Sequence, residues 1–214
     1  MISVGARNEL TPAVVRSMHR FRHETFVGRL RWSLPLIGGL EQDQYDSECA
    51  VYVIVHDIDD DVTGCARLLP TTGDYMLPEL FPELLGGRPP PRDAAVWELS
   101  RFAASVRRSR EGRMLSLSST TLTLLEAVFQ FARDNAVARL LIVTSIASER
   151  LLLRAGLDVH RLGSPVRTPD GLTVALCIEV PGCVRSAEAR DPALEAHARR
   201  MERLYALAAC AITS

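Results

Sequence analysis

AVYVIVHDIDDDVTGCARLLP, residues 50–70, decides the class of fold. Two apolar runs, AVYVIVHD (50–57) and VTGCARLLP (62–70), flank the acidic turn DIDDD (57–61), which reads as strand, turn and returning strand. Gly64 marks a bulge in the return strand. Downstream, AVWELSRFAAS (95–105) alternates as a third strand, with Trp97, Leu99 and Arg101 on one side and Glu98, Ser100 and Phe102 on the other. Ser118 to Arg133 repeats apolar residues at helical spacing through Leu122, Leu125, Val128, Phe129 and Ala132. ARLLIVTS (138–145) reads as a buried strand. A helix from Ser148 to Ala155 follows, stopped by Gly156. LDVHRLG and LTVALCIEV are strands around the turn TPDG.

Upstream, Thr11-Pro12 opens a helix carrying Val14, Val15, Met18 and Phe21. Residues 28–48 hold Gly, Pro and acids without regular period, a long excursion of the kind that serves function. A short helix is expected near 78–85, and residues 185–214 read as a C-terminal amphipathic helix. The order is helix, three strands, helix, strand, helix, two strands, helix. It predicts an α+β chain with a mixed, largely antiparallel sheet flanked by helices, compatible with an acetyltransferase-like (GNAT-like) three-layer sandwich. A regular βαβ alternation and a G-x-G-x-x-G are both absent from the sequence. The 214 residues are read as one domain, 1–214.

Net charge is −1, so no global field draws nucleic acid or a membrane surface. No apolar run is long enough to span a bilayer. All 25 basic residues are Arg, which excludes a Schiff-base or P-loop lysine. The five cysteines lack ligand spacing, and no metal site is expected. A reduced, cytoplasmic compartment fits them best.

The chemistry-bearing residues cluster in the sequence. Arg22, Phe26, Trp32, Asp43 and Asp46 lie in the first helix and the excursion. Arg67 sits in CARLLP, and Glu98 and Arg101 sit in WELSRF. An arginine among apolar residues needs a carboxylate partner when buried, and the acids at 43, 46 and 98 can supply it. On patterning alone this cluster reads equally well as a substrate pocket or as an ion-pair network stitching loop to sheet.

These same residues resemble the LuxI-type acyl-homoserine lactone synthases, also called autoinducer synthases. R-x-x-x-F (Arg22, Phe26), Trp32, D-x-x-D (Asp43, Asp46), Arg67 and WELSRF match that family in identity and spacing, and ERLLLRAGLDVHRLG adds to the likeness. The resemblance covers about residues 10–180. It implies transfer of an acyl group from acyl-carrier protein, or acyl-coenzyme A, to the amine of S-adenosylmethionine. Lactonisation then expels methylthioadenosine. S-adenosylmethionine is thus a substrate, and no separate cofactor is expected. It implies Glu98 as the base, with Arg101 and Asp46 beside it in catalysis. Arg22, Phe26, Trp32, Asp43, Asp46, Arg67, Arg101 and Phe102 would line the S-adenosylmethionine pocket, with residues 1–48 as helix and mobile loop above it. An acyl pocket is expected from Met76, Phe81, Ser100, Leu122, Leu125, Val143, Thr144 and Leu152. Arg107, Arg108, Arg110, Arg150 and Arg154 are expected to dock an acidic carrier. The other readings are an ordinary acyl-coenzyme A N-acetyltransferase, whose Q/R-x-x-G-x-G/A loop is missing, and a non-catalytic S-adenosylmethionine-binding homologue.

Overall fold

The computed structural model describes residues 1–105, 118–169 and 171–183. They form two compact units, Met1–Met76 with Glu98–Phe131, and Leu77–Trp97 with Ala132–Ser214.

In the first unit, strand β1 (Ile2–Ala6) precedes helix α1 (Pro12–Arg22). Thr11 caps α1 by accepting from Val14 N at 3.3 Å. The chain then winds as a π-helix over His23–Arg29. Strands β2 (Leu36–Ile37) and β3 (Leu40–Glu41) make a small hairpin, followed by β4 (Val51–His56) and β5 (Val62–Pro70). Antiparallel pairs join β1 to β4 and β4 to β5, with Tyr52 opposite Arg67, and β6 (Val96–Ala104) neighbours β5. Helix α1 packs against β5 and β3. The core holds Met18, Phe26, Tyr52–Val55, Leu68 and Leu69, and Leu124, Val128 and Phe129 of helix α3 (Ser119–Asp134) are buried as well.

The register between β4 and β5 shifts at Val55/His56, beside Gly64 as expected. A side chain at Gly64 would come within 3.3 Å of Thr120 and 3.4 Å of the Ala103 carbonyl, a tight fit that favours glycine.

The second unit begins with helix α2 (Met76–Leu80), whose first residue belongs to the other unit, and a 3₁₀ turn (Pro82–Leu85). Strand β7 (Arg139–Ser145) pairs antiparallel with β10 (Gly171–Glu179). Helix α4 (Ile146–Arg154) lies between β7 and β8 (Val159–Arg161) in the chain, and β8 and β9 (Val166–Thr168) both pair with β10.

Some elements differ from the sequence expectation. The excursion 28–48 is partly regular, because Gly38 and Gly39 adopt φ of +59° and +78° and turn β2 back into β3. Strand β1, five residues with a glycine in fourth place, was too short to signal itself. Helix α4 starts two residues earlier than Ser148, with Ser145 capping it by accepting from Ser148 N at 3.1 Å. The turn near TPDG follows β9 rather than β8. The expected C-terminal helix 185–214 lies outside the described residues.

Strict alternation along β6 also fails. Arg101 takes a left-handed φ of +51°, which turns its side chain to the same cluster that Ser100 reaches.

Candidate active site

Within the first unit the charged residues interlock. Arg22, at the end of α1, is 1% exposed and forks onto Asp46, with Nη1–Oδ1 at 2.7 Å and Nη2–Oδ2 at 3.0 Å. Its Nε donates to Glu41 Oε2. Arg67 is wholly buried on β5. It donates to both Asp43 oxygens at 2.5 and 3.2 Å and to Ser100 Oγ at 3.1 Å, and its Nη1 lies 3.0 Å from Asp46 Oδ1. Arg101 donates from Nε to Glu41 Oε1 at 3.0 Å and from Nη2 to Asp43 Oδ2 at 2.6 Å. Planar forks allow this sharing; ammonium groups would not reproduce it.

The loop geometry is held from the same groups. Asp46 Oδ2 accepts from Asp43 N at 2.9 Å, and Asp43 Oδ1 accepts from Tyr45 N at 2.9 Å. Tyr52 donates its hydroxyl to Asp46 Oδ1 at 2.9 Å. On the acidic side, Glu98 is 2% exposed and accepts from the Met76 N–H at 2.8 Å.

Burial alone would raise the Asp46 pKa, but the hydrogen bonds and charge of Arg22, with Arg67, hold it well below the usual carboxylate range. Burial likewise works against the charge on Arg22, and Asp46 and Glu41 overcome it. Burial, then the Arg22 charge, lowers the His19 pKa, which favours the neutral ring; its Nδ1 pairs with the Glu41 carbonyl at 2.8 Å. Burial pushes the Cys65 thiol up to about 12, so this thiol, 3.5 Å from the Arg101 carbonyl it donates to, is no nucleophile at neutral pH.

Aromatic faces border the charges. Phe26 and Trp32 stack with centroids 5.2 Å apart and planes 10° from parallel, and the Arg101 guanidinium sits 5.8 Å from the Phe26 centroid. Trp32 is 37% exposed, so the stack has one buried and one open ring.

The structure therefore brings Arg22, Asp43, Asp46, Arg67 and Arg101 into one ion-pair cluster, with Phe26 beside it and Trp32 stacked on Phe26. Glu98 joins through Met76. Ser100, expected in the acyl pocket, accepts from Arg67. Phe102 is half-buried and has no hydrogen-bond or ring contact with the cluster among the described residues. The remaining acyl candidates divide between the units: Met76, Leu122 and Leu125 in the first; Phe81, Val143, Thr144 and Leu152 in the second. Arg150 and Arg154 are exposed on α4, while Arg107, Arg108 and Arg110 lie outside the described residues.

Sequence reasoning missed Glu41 and Tyr52. Glu41 is 0% exposed and bridges Arg22 to Arg101. Its signal was available, since Glu41 and Asp43 stand two apart and can share one side of an extended chain.

Known proteins share this arrangement of chain. The autoinducer synthase family profile matches residues 6–189. The acyl-homoserine-lactone synthase of Ralstonia nicotianae is 42% identical over 170 residues, 78% of this chain and 82% of that protein. The solved AHL synthase LasI has a TM-score of 0.74 at 32% identity, covering 88% of this chain and 98% of its own. BjaI, a CoA-dependent acyl-homoserine lactone synthase solved with SAM and isopentyl-CoA, has a TM-score of 0.74 at 28% identity, covering 93% and 99%. The fold is acetyltransferase-like; a Lactobacillus plantarum protein assigned as an N-acetyltransferase shares it at 14% identity and a TM-score of 0.56. The chain belongs to the autoinducer synthase family and is an acyltransferase of the acyl-homoserine-lactone synthase class.

Proposed function

We propose that the interlocked cluster is the S-adenosylmethionine site and that Glu98 is the base for the attacking amine. Charge balance carries the reading. Three guanidinium groups, Arg22, Arg67 and Arg101, pair with the three carboxylates Glu41, Asp43 and Asp46, and Glu98, held through Met76, brings a fourth, which leaves one net negative charge. S-adenosylmethionine, with a sulfonium, an ammonium and a carboxylate, carries one net positive charge. Among the described residues, Arg101 Nη1 meets only Met76 Sδ at 3.9 Å, so it can pair the substrate carboxylate. The open face of the Phe26–Trp32 stack suits the adenine or the sulfonium.

In this reading Glu98 takes the ammonium proton, directly or through one water. The amine attacks the thioester carbonyl, the C–S bond breaks, and the thiolate leaves with a proton. Backbone N–H groups of residues 101–103, at the break in alternation made by Arg101, stabilise the oxyanion. The substrate carboxylate then attacks its own γ-carbon and expels methylthioadenosine, a step that positioning can accelerate. No acyl-enzyme is required, in keeping with the raised thiol of Cys65.

The acyl donor is an acidic carrier protein, or acyl-coenzyme A. Glu149 is paired with Arg161 at 2.6 and 2.7 Å, so Arg150 and Arg154, exposed one turn apart on α4, remain as net positive charges. Among the described residues no helix is long and apolar enough to cross a membrane. The cytoplasm, where acyl carriers and S-adenosylmethionine are made, is the proposed compartment. One family profile running through both units supports a single functional domain. Incubation with S-adenosylmethionine and a panel of acyl-carrier thioesters should release methylthioadenosine, thiol and lactone in equal amounts. Thiol release without lactone across the panel would overturn the proposal.

A further inference from the structure

We infer that Met76 is a positioning residue for this reaction: its thioether completes the arginine cluster, and its peptide N–H fixes Glu98. The inference rests on the reading of the cluster as the S-adenosylmethionine site. By size and polarity Met76 belongs with the acyl-pocket residues, but its sulfur and its peptide N–H both meet polar groups. Sδ accepts from Arg67 Nη2 at 3.0 Å and lies 3.9 Å from Arg101 Nη1, while the Met76 N–H donates to Glu98 Oε2 at 2.8 Å.

Donor counting shows why the sulfur matters. A guanidinium has five N–H groups. Those of Arg67 face Ser100 from Nε, Asp43 and Asp46 from Nη1, and Asp43 again from Nη2. The second N–H of Nη2 goes to the sulfur. Arg67 is 0% exposed, so water does not replace a lost partner there. A thioether is a weak acceptor, yet a weak acceptor is preferable to an orphaned donor in a buried cationic group. Met76 is itself 8% exposed and begins α2, and the residue whose sulfur meets Arg67 also supplies the N–H that holds Glu98. One residue thereby ties the orientation of Arg67 and Arg101 to the location of the base.

Two substitutions separate this role from lining an acyl chain. Met76→Leu keeps apolar bulk and removes the acceptor. Met76→Gln restores an acceptor oxygen at similar reach and removes the apolarity. Calorimetric titration with S-adenosylmethionine is expected to show Met76→Leu weakened by about 10-fold and Met76→Gln within about threefold of the parent protein. The KM for the acyl donor should change less than the KM for S-adenosylmethionine in Met76→Leu. The opposite pattern, Met76→Leu binding S-adenosylmethionine like the parent while Met76→Gln loses only acyl-donor affinity, would overturn the inference. Should Met76→Leu fail to fold, replacing methionine by norleucine changes only sulfur to methylene, and unchanged S-adenosylmethionine affinity in that protein would be equally decisive. Failure of the parent protein itself to bind S-adenosylmethionine would refute the site assignment instead.

Discussion

Replacing Asp46 by Asn removes one charge and almost no volume, which makes it the sharpest probe of the cluster. Asp46 accepts two bonds from Arg22, one from Tyr52 and one from Asp43 N, and lies 3.0 Å from Arg67. An asparagine offers one acceptor oxygen and sets an NH₂ against these donors. Arg22, 1% exposed, is left with an uncompensated share of buried charge. Breaking a buried pair from one side costs about 3–5 kcal/mol, which for a chain of this size lowers Tm by roughly 6–20 °C. Tyr52→Phe removes a single hydrogen bond to the same carboxylate and should cost less, about 1.5–3 kcal/mol. Thermal and urea unfolding of both variants measures the difference. A loss below about 1 kcal/mol for Asp46→Asn, or one smaller than for Tyr52→Phe, would refute the view that the cluster is a buried, mutually dependent unit. Acid tests the same group. With its folded pKa depressed, Asp46 contributes stability in full above its unfolded value of about 3.9 and loses it as pH falls below that. The Asn variant should show a shallower loss in that range.

Glu98→Gln is expected to lower kcat by about 100-fold or more and, because it removes the net negative charge of the cluster, to weaken S-adenosylmethionine binding as well; unchanged turnover would remove Glu98 as the base. His19 has a lowered folded pKa, so its stabilising share is complete above the unfolded value of about 6.5 and declines as pH falls through the folded value. His19→Gln keeps a donor for the Glu41 carbonyl and should lose less Tm than the parent protein between about pH 7.5 and about pH 5.5; equal losses would exclude His19 as the titrating group. Reversing Arg150 and Arg154 to Glu should raise the KM for an acidic carrier at low salt, with the gap narrowing as salt screens it, and leave S-adenosylmethionine affinity unchanged. A salt-independent effect would argue against electrostatic docking.

Much of the fold could be read from the chain because the β4–β5 hairpin, β7 and α3 each carry a strong local period. Tyr52 and Val53 sit deep in the core as that pattern implies. The charged cluster was legible for a different reason: Arg67 in an apolar strand demands a counter-charge, and Asp43 and Asp46 stand in the excursion just upstream. What escaped depended on distant partners. Glu41 meets Arg101 sixty positions along the chain, and nothing local marks that meeting. Arg101's backbone angle escaped because an alternating pattern presumes ordinary β geometry, and no glycine signals the exception. Met76 was read as an acyl-pocket residue, and its bond to a guanidinium escaped because a thioether counts as apolar until such a partner is found against it.

The left-handed backbone at Arg101 sets two selective demands against each other. At that φ a glycine would be the relaxed choice, and an L side chain costs about 1–2 kcal/mol. Only the fork of an arginine, however, reaches Glu41 and Asp43 from there. The position can therefore drift in neither direction without loss: a residue that eases the backbone empties the cluster, and any other side chain inherits the strain without the guanidinium. Comparing Arg101→Gly with Arg101→Ala isolates the backbone part, since both lack the fork and differ only in the β-carbon. Such a site resists substitution for reasons that are separable on the bench, although in the folded protein they act through a single residue.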